Sequence, residues 1–439
     1  MSAIVRQSNL FAAEDFVKVY KSFQDINFTS YDFDTIRESL IEYIRVQYPE
    51  DFNDFTADSE FIAIIELLAY LGTSLSFRTD LNARENLLDT AERRESIVRL
   101  ARMINYQPKR NIAASGLMKI TSVATNEQVR DSAGNQISGL QVAWNDPNNP
   151  NWYDQFTSIL NASLNQTNPF GKPSKTESLG GIPTDLYALN SVLGVNVAYN
   201  RTININGEEI PLDIVNPDVE TTFVERHPDQ NEPFNLIYRN DSLGVGSANT
   251  GFFVYFKQGT LTSTDFRYDF PQPNRVQEIL TENINNSDVF VQEIDDLGTV
   301  LNKWQKVPSV NGTNIIYNSI NFNERNIFEV ISGLNDAVSV KFSDGNFGNV
   351  PSGIFRYWYR TSIGRNIVIR PEDANNLQLA LPYYGKDGQR YSLVVTFGLE
   401  NPVANSAPAE TNAQVKIRAP QTYYTQNRMV NNEDYNVFP

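Results

Sequence analysis

The chain contains no cysteine and only one histidine, His227. The first absence excludes a disulfide framework and any thiolate metal site. The second leaves Ser-His-Asp chemistry a single candidate base, and no Gly-x-Ser-x-Gly elbow accompanies it. His227 lies in VERHPD, between Glu225 and Asp229 and directly before Pro228, and reads as a strand-end surface residue. Basic residues are scarce as well: 36 Lys and Arg face 52 Asp and Glu, for a formal charge of −16. Nucleic acid is therefore not an expected partner, because phosphate binding needs a concentrated basic surface. The one basic cluster, Arg93, Arg94, Arg99 and Arg102, is interleaved with Glu92 and Glu95 and reads as solvated or partner-facing helix surface. There is no apolar run of about eighteen residues. The best stretch, Phe61 to Leu71, is cut by Glu66, so no membrane span is expected. The first residues, MSAIVRQSNLFAAEDF, lack the basic and apolar regions of a secretory signal. P-loop, dinucleotide and EF-hand patterns are missing, so the expectation is no cofactor, no metal, no catalytic residue and no small-molecule substrate.

What the chain does have is a stretch that orders the rest, Val338 to Arg360, reading VSVKFSDGNFGNVPSGIFRYWYR. Val338, Val340 and Phe342 alternate with Ser339 and Lys341, the period of a strand with one buried face. Ser343 to Asn346 carries turn chemistry, since glycine accepts positive φ and aspartate can bond its own backbone. Gly348 to Gly353 makes a second reversal, and Ile354 to Arg360 is a strongly aromatic strand. A hairpin over these two strands is expected. A phosphate-cradling loop would need a helix after it, and a strand follows.

Helical periodicity precedes this region. Asp34 reads as an N-cap, and Ile36, Leu40, Ile41 and Ile44 recur at helical spacing until Pro49. A short helix around Ala13 to Phe23 is also expected, and Thr56 to Ser59 opens the main helix. There Phe61, Ile64, Leu68, Leu71 and Leu75 step by alternating threes and fours, a heptad-like seam. The stripe then shifts to Phe77, Leu81 and Leu88, which predicts a break near Gly72 to Ser76. Asp89-Thr90-Ala91-Glu92 reads as a capping box for a further helix with Ile97, Leu100, Ala101 and Ile104 on one face. These stripes carry more apolar surface than two or three helices readily cover, which predicts that the seam Phe61, Ile64, Leu68, Leu71, Leu75, Phe77, Leu81 and Leu88 meets other chains.

From Ser115 the period becomes two. Leu117 to Val123 reads as a strand, Asn206-Gly207 as a two-residue hairpin turn, and Phe252 to Phe256 with Leu261 to Tyr268 as a pair turning at Gln258-Gly259. Val289 to Ile294 and Leu301 to Val307 flank another turn, with Trp304 packing inward. Residues 124 to 190 are loop-rich and read as a surface insertion holding one short helix around Trp152 to Leu160. The fold class expected is α+β and multidomain: a helical bundle segment over 1–110, β regions over 111–270 and 271–398, and over 399–439 a linker into a C-terminal α/β domain.

Several of these stretches resemble the baseplate J-like family, in particular the wedge subunits of T-even-type contractile-tailed phages. FSDGNFGNVPSG is similar to that family's FGDG-x-x-G-x-x-P-x-x-G signature at Phe342, Asp344, Gly345, Gly348, Pro351 and Gly353, with Ser343 in place of glycine. Tyr359 to Asn366 resembles the segment that follows it, with Arg365 where a second glycine is common. The helices, including Asn82 to Asn86 before Thr90-Ala91, resemble the family's N-terminal region. Near the end, Glu410 to Ala413, Arg418 with Pro420, and Arg428 leading to Asp434-Tyr435 resemble its E-S-x-E, R-x-x-A-P and R-A-V-T-x-x-D-Y run. The resemblance implies a non-enzymatic virion subunit, assembled in the host cytoplasm, whose partners are a second copy of itself and other baseplate wedge and tail proteins. It further implies helices shared in a core bundle, an inner ring around the tail tube that rearranges on contraction, and a C-terminal domain that this chain enters but does not complete. Residues 400 to 439 are then expected to be extended and weakly packed. The alternative from the residues alone is a tail-associated receptor- or glycan-binding protein, and after it a glycoside hydrolase.

Overall fold

The computed structural model describes residues 32–47, 60–164, 171–190, 196–310, 325–333, 337–346 and 348–425. It is α+β and divides into two units, with the boundary between Ile104 and Asn105. The expected helix at Ala13–Phe23, the Thr56–Ser59 opening and the motif residues Arg428, Asp434 and Tyr435 lie outside the described residues.

The first unit holds helices α1 (Phe33–Gln47), α2 (Glu60–Glu85) and α3 (Arg94–Met103). α2 runs unbroken through Gly72 to Ser76, against the predicted break, and at 1.5 Å per residue is about 39 Å long. Gly72 faces α1, where a Cβ would lie 3.5 Å from the Ile36 methyl, an ordinary packing distance, so the glycine imposes no break. Arg37 of α1 and Glu66 of α2 pair at 3.1 Å. The predicted capping box before α3 does not form. The Glu85 carboxylate at the end of α2 instead accepts the Glu92 amide at 3.0 Å and the Arg93 amide at 3.2 Å. Thr90 turns away and donates to the Arg84 carbonyl. A longer acidic side chain arriving from the previous helix has displaced the local cap.

The second unit opens with β1 (Ser115–Thr125) and β2 (Val142–Ala143), then helix α4 (Trp152–Ser163). β3 (Lys175–Leu179), β4 (Ile182–Ala188), β5 (Ala198–Ile205) and β6 (Glu208–Val215) follow. Next come the short β7 (Pro217–Val219) and β8 (Phe223–Glu225), then β9 (Asn235–Arg239) and β10 (Gly251–Gln258). The chain continues through β11 (Thr260–Tyr268), β12 (Val276–Ile279), β13 (Ile284–Ile294), β14 (Val300–Lys306) and β15 (Ile327–Ser332). β16 (Val338–Phe342), β17 (Gly353–Thr361), β18 (Leu377–Tyr384), β19 (Arg390–Gly398) and helix α5 (Asn412–Thr425) complete it.

The first sheet runs β18-β19-β1-β10-β9-β4-β3, with β2 beside β1 and β6 joining β5 to β10. The second runs β11-β17-β13-β14-β15-β16-β12, and β7 pairs with β8 alone. Among the described residues, only the short β14–β15 pairing is parallel. The turn at Asn206-Gly207 and the β13–β14 hairpin stand as expected, with Ile205 opposite Glu208 and Trp304 buried. Both residues of the first turn have positive φ, as a primed hairpin turn requires.

Two expected pairings are wrong. β16 and β17 are not hydrogen-bonded to each other: β16 lies between β15 and β12, β17 between β13 and β11. Their connection crosses over, and Phe342 and Phe355 meet inside the core with ring centroids 5.7 Å apart. β10 and β11 likewise belong to different sheets. Gly259 makes the transfer, with φ of 111° and a virtual Cβ only 2.2 Å from the Thr361 carbonyl oxygen. Period-two patterning reveals a strand's buried face but not which neighbour it joins.

Residues 124 to 190 are not a surface insertion. Phe156, Ile159 and Leu160 of α4 are fully buried in the first sheet's core, and β3 and β4 extend that sheet. The division expected near residue 270 falls inside the second sheet, and β18 and β19 return to the first. Of the tail expected to be extended, the described part is helical over Asn412–Thr425, and residues 426–439 lie outside the described residues. Thr411 and Gln414 form a reciprocal cap that opens α5, Val415 and Ala419 are fully buried, and Pro420 lies within the helix.

Candidate functional site

α2 has two apolar faces. Ile62, Ile65 and Ala69 are buried, whereas Ile64, Leu68, Leu71 and Leu75 on the predicted seam are exposed, Leu68 by 51% and Leu75 by 63%. Leu67, Tyr70 and Phe77 are exposed beside them. Phe61, Leu81 and Leu88 are half-buried. A helix whose hydrophobic surface runs nearly all round is one that normally packs on more than one side. Its length and composition would also suffice to cross a membrane, although no contiguous apolar run marks it as a span. Within it, Glu66 is held by Arg37.

The motif loop is built by its own small residues. Asp344 accepts the Asn346 amide at 2.9 Å, and Gly345 has φ of 96°. A Cβ on Gly348 would lie 2.7 Å from an Ile327 methylene, so this glycine is fixed by close approach, not by its φ. Pro351 is buried, and Gly353 enters β17 with positive φ. Arg325 donates to the Gly345 carbonyl, tying the loop to β15. Phe342 closes the loop onto the core. The loop's polar atoms are thus occupied in holding its own shape.

Between the two sheets lies an ionic cluster that sequence patterning did not find. Arg360 of β17 is fully buried and places its guanidinium 3.2 Å from Asp213 of β6, 2.5 Å and 3.0 Å from the Glu225 oxygens of β8, and 3.6 Å from Asp288 of β13. Lys257 of β10 reaches Glu225 at 3.3 Å and contacts Asp288. Burial alone would push the Asp288 carboxyl up, but Lys257 and Arg360 together hold it well below the usual carboxylate range. Burial would likewise lower the Lys257 ammonium, and Asp288 and Glu225 raise it instead. Beside the cluster, Arg110 donates to the carbonyls of Ile284, Asn285 and Asn286. Arg418, a motif residue on α5, pairs with the buried Glu410 at 2.5 Å, and the Tyr106 hydroxyl stands 2.8 Å from the same carboxylate. The signal available in sequence was only an arginine ending an otherwise aromatic strand.

His227 is not the surface residue expected. Its Nδ1 accepts from the Gln292 amide at 2.9 Å, its ring lies edge-on to Phe290, and its Nε2 is buried with no hydrogen-bond partner. Burial and the Lys303 ammonium push its pKa down to about 4. The flanking acids are spent elsewhere, Asp229 on Lys303 and Glu225 on Arg360 and Lys257. The folded state therefore favours neutral imidazole, and the unfolded chain binds the extra proton between pH 6.5 and 4. This contribution is complete above pH 6.5 and is lost as pH falls through that window. We expect stability about 2 kcal/mol lower at pH 5 than at pH 7.5 from this group. The difference between the urea-unfolding pH profiles of wild type and His227→Gln measures it; superimposable profiles would show that the imidazole is not desolvated.

Among the described residues, no three His, Cys, Asp or Glu side chains converge as a metal set. Residues 116–402 match the family described as a domain of unknown function, DUF8360. Residues 32–103 match the bacteriophage baseplate protein N-terminal domain, and with that match the chain takes a structural role in a phage tail baseplate. No curated protein matches the chain.

Proposed function

We propose that this chain, which belongs to the DUF8360 family and carries the N-terminal domain of bacteriophage baseplate proteins, is a wedge subunit of a contractile tail baseplate. The observation that carries the reading is the second face of α2. Ile64, Leu68, Leu71 and Leu75 stay exposed while the opposite face is buried, so the helix is finished only when another chain covers it. Its occupants are helices of a second copy and of neighbouring wedge and tail proteins, packed in a common bundle. Burying those side chains would contribute roughly 5 kcal/mol of gross hydrophobic stabilisation per chain. The β unit, locked by a buried ionic cluster, acts as a rigid body within an inner ring around the tail tube, and contraction rearranges contacts between such bodies instead of remaking the sheets. The baseplate J-like relationship and the non-enzymatic role belong to this same reading.

The test is the composition of purified baseplates and their cross-links. The chain should be present, with cross-links from residues 60–88 to a second copy or to another tail protein. Its absence from baseplates, or recovery of α2 in a membrane fraction, would overturn the proposal.

A further inference from the structure

The first sheet carries a cleft of about 210 Å³ where β1, the turn after β2, the β9–β10 loop and the residues after β19 converge. Lys119, Trp144, Asn145, Val245 and Glu400 are among the residues that line it. The Lys119 side chain is only 7% exposed. Its stem passes Gly251, where φ is 137° and a Cβ would stand 3.2 Å from Lys119 Cε, so a side chain there would crowd it. The Lys119 ammonium donates to the Ser247 carbonyl at 2.7 Å, and Asp241 fixes Ser247 by accepting its hydroxyl. Glu400 stands 3.9 Å from the same ammonium, near enough to attract it and too far to hydrogen-bond. Trp144 forms a rigid wall: it packs edge-on to Trp152 at 4.9 Å and to Phe156 at 5.2 Å, and its indole N–H donates to the Val245 carbonyl at 2.9 Å. Asn145 is exposed at the rim on left-handed backbone, with φ of 54°.

An ammonium offers three donors and no acceptor, and a carboxylate offers acceptors alone. A group lying between Lys119 and Glu400 must therefore accept on one side and donate on the other. Burial pushes the Lys119 ammonium below the usual lysine range, a penalty that a further acceptor relieves. An anion would be repelled by Glu400 and a cation by Lys119, while an apolar group would leave the ammonium without the solvent it still reaches. Hydroxyls on adjacent carbons suit both ends, because each carries one donor and two acceptor lone pairs. The volume lies below the roughly 300 Å³ at which drug-sized pockets begin, which limits the occupant to about one ring. We propose that this cleft is a subsite for a single neutral sugar ring, its vicinal hydroxyls bridging Lys119 and Glu400 and its carbon face against Trp144 and Val245. The site belongs to the β unit alone and does not rest on the baseplate reading.

Saturation-transfer NMR on the purified full chain tests it, with D-glucose, D-galactose and D-mannose as probes and acetate as competitor. At least one hexose should receive transfer and resist displacement by acetate. Its half-saturating concentration should rise about tenfold in Glu400→Ala, as expected for the loss of a hydrogen bond to a charged group. Asn145→Gly, which keeps the positive φ, should weaken the same hexose, and Lys119→Met should abolish its transfer. Both rim variants should melt like the wild type, so they decide the matter even if Lys119→Met melts early. No transfer to any of the three hexoses, or transfer undiminished in Glu400→Ala, would overturn the subsite and leave a water-filled cleft. Displacement of the hexose by acetate, with tighter acetate binding in Glu400→Ala, would overturn it in favour of an anion site. The presence of the chain in baseplates is unaffected by any of these outcomes.

Discussion

Arg360→Met is expected to destabilise the β unit by about 3–5 kcal/mol, the largest single-residue effect on its fold. The reason is arithmetic of charge in a dry place. Two cations, Arg360 and Lys257, face the carboxylates of Asp213, Glu225 and Asp288, and all are buried. Methionine fills much of the arginine's volume but leaves Lys257 alone against three acids. Arg360→Lys should recover only part of the loss, since an ammonium cannot reproduce the two-point contact to Glu225 while also reaching Asp213. The deficit has a predictable pH dependence. Without the guanidinium, Asp288 loses one of the two cations that hold its carboxyl low, so the penalty is full at neutral pH and shrinks on acidification as that carboxyl takes up its proton. Urea unfolding of the two variants and the wild type at neutral and acidic pH measures this. A loss below about 1 kcal/mol at pH 7, or one that grows on acidification, would show that the cluster does not hold the sheets together.

That cluster marks where sequence reasoning stopped. Strand existence was legible wherever one face is apolar: Val338, Val340 and Phe342, Val289 to Ile294, and the turn at Asn206-Gly207 are where periodicity puts them. Partner choice was not. Adjacent strands β10 and β11 look like a hairpin until Gly259 is seen against the carbonyl of Thr361, a residue 102 positions further along the chain. The same long-range dependence hid Arg360, whose partners come from β6, β8 and β13. It also misled the reading of 124 to 190, where Asn and Pro density concealed a helix buried through Phe156. In the helices, the Glu85 cap was missed because a side chain reaching back from the preceding helix leaves no local signature. The exposed seam of α2 was legible for the opposite reason. Heptad spacing is local, and it marks an apolar stripe whether the partner is on the same chain or another.

Leu68→Asp should leave the isolated chain folded and yet abolish assembly. Leu68 is 51% exposed, so an aspartate there stays hydrated in the free protein, and its unfolding free energy should move by no more than about 1 kcal/mol. In the proposed bundle the same carboxylate would be buried without a partner, at a cost of several kcal/mol, which is a loss of about a hundredfold or more in association. Ile65→Asp is the internal contrast. Ile65 is 2% exposed, so the charge is buried within the chain itself and the helical unit should melt before any partner is met. Circular dichroism melts of the purified chains separate these effects, and baseplate yield from phage carrying each allele reads their consequence. Both alleles should fail to assemble, Ile65→Asp with a lowered melt and Leu68→Asp without one. Should Leu68→Asp assemble normally, the exposed seam has no partner; should it melt like Ile65→Asp, the face is covered by this chain and not by a neighbour.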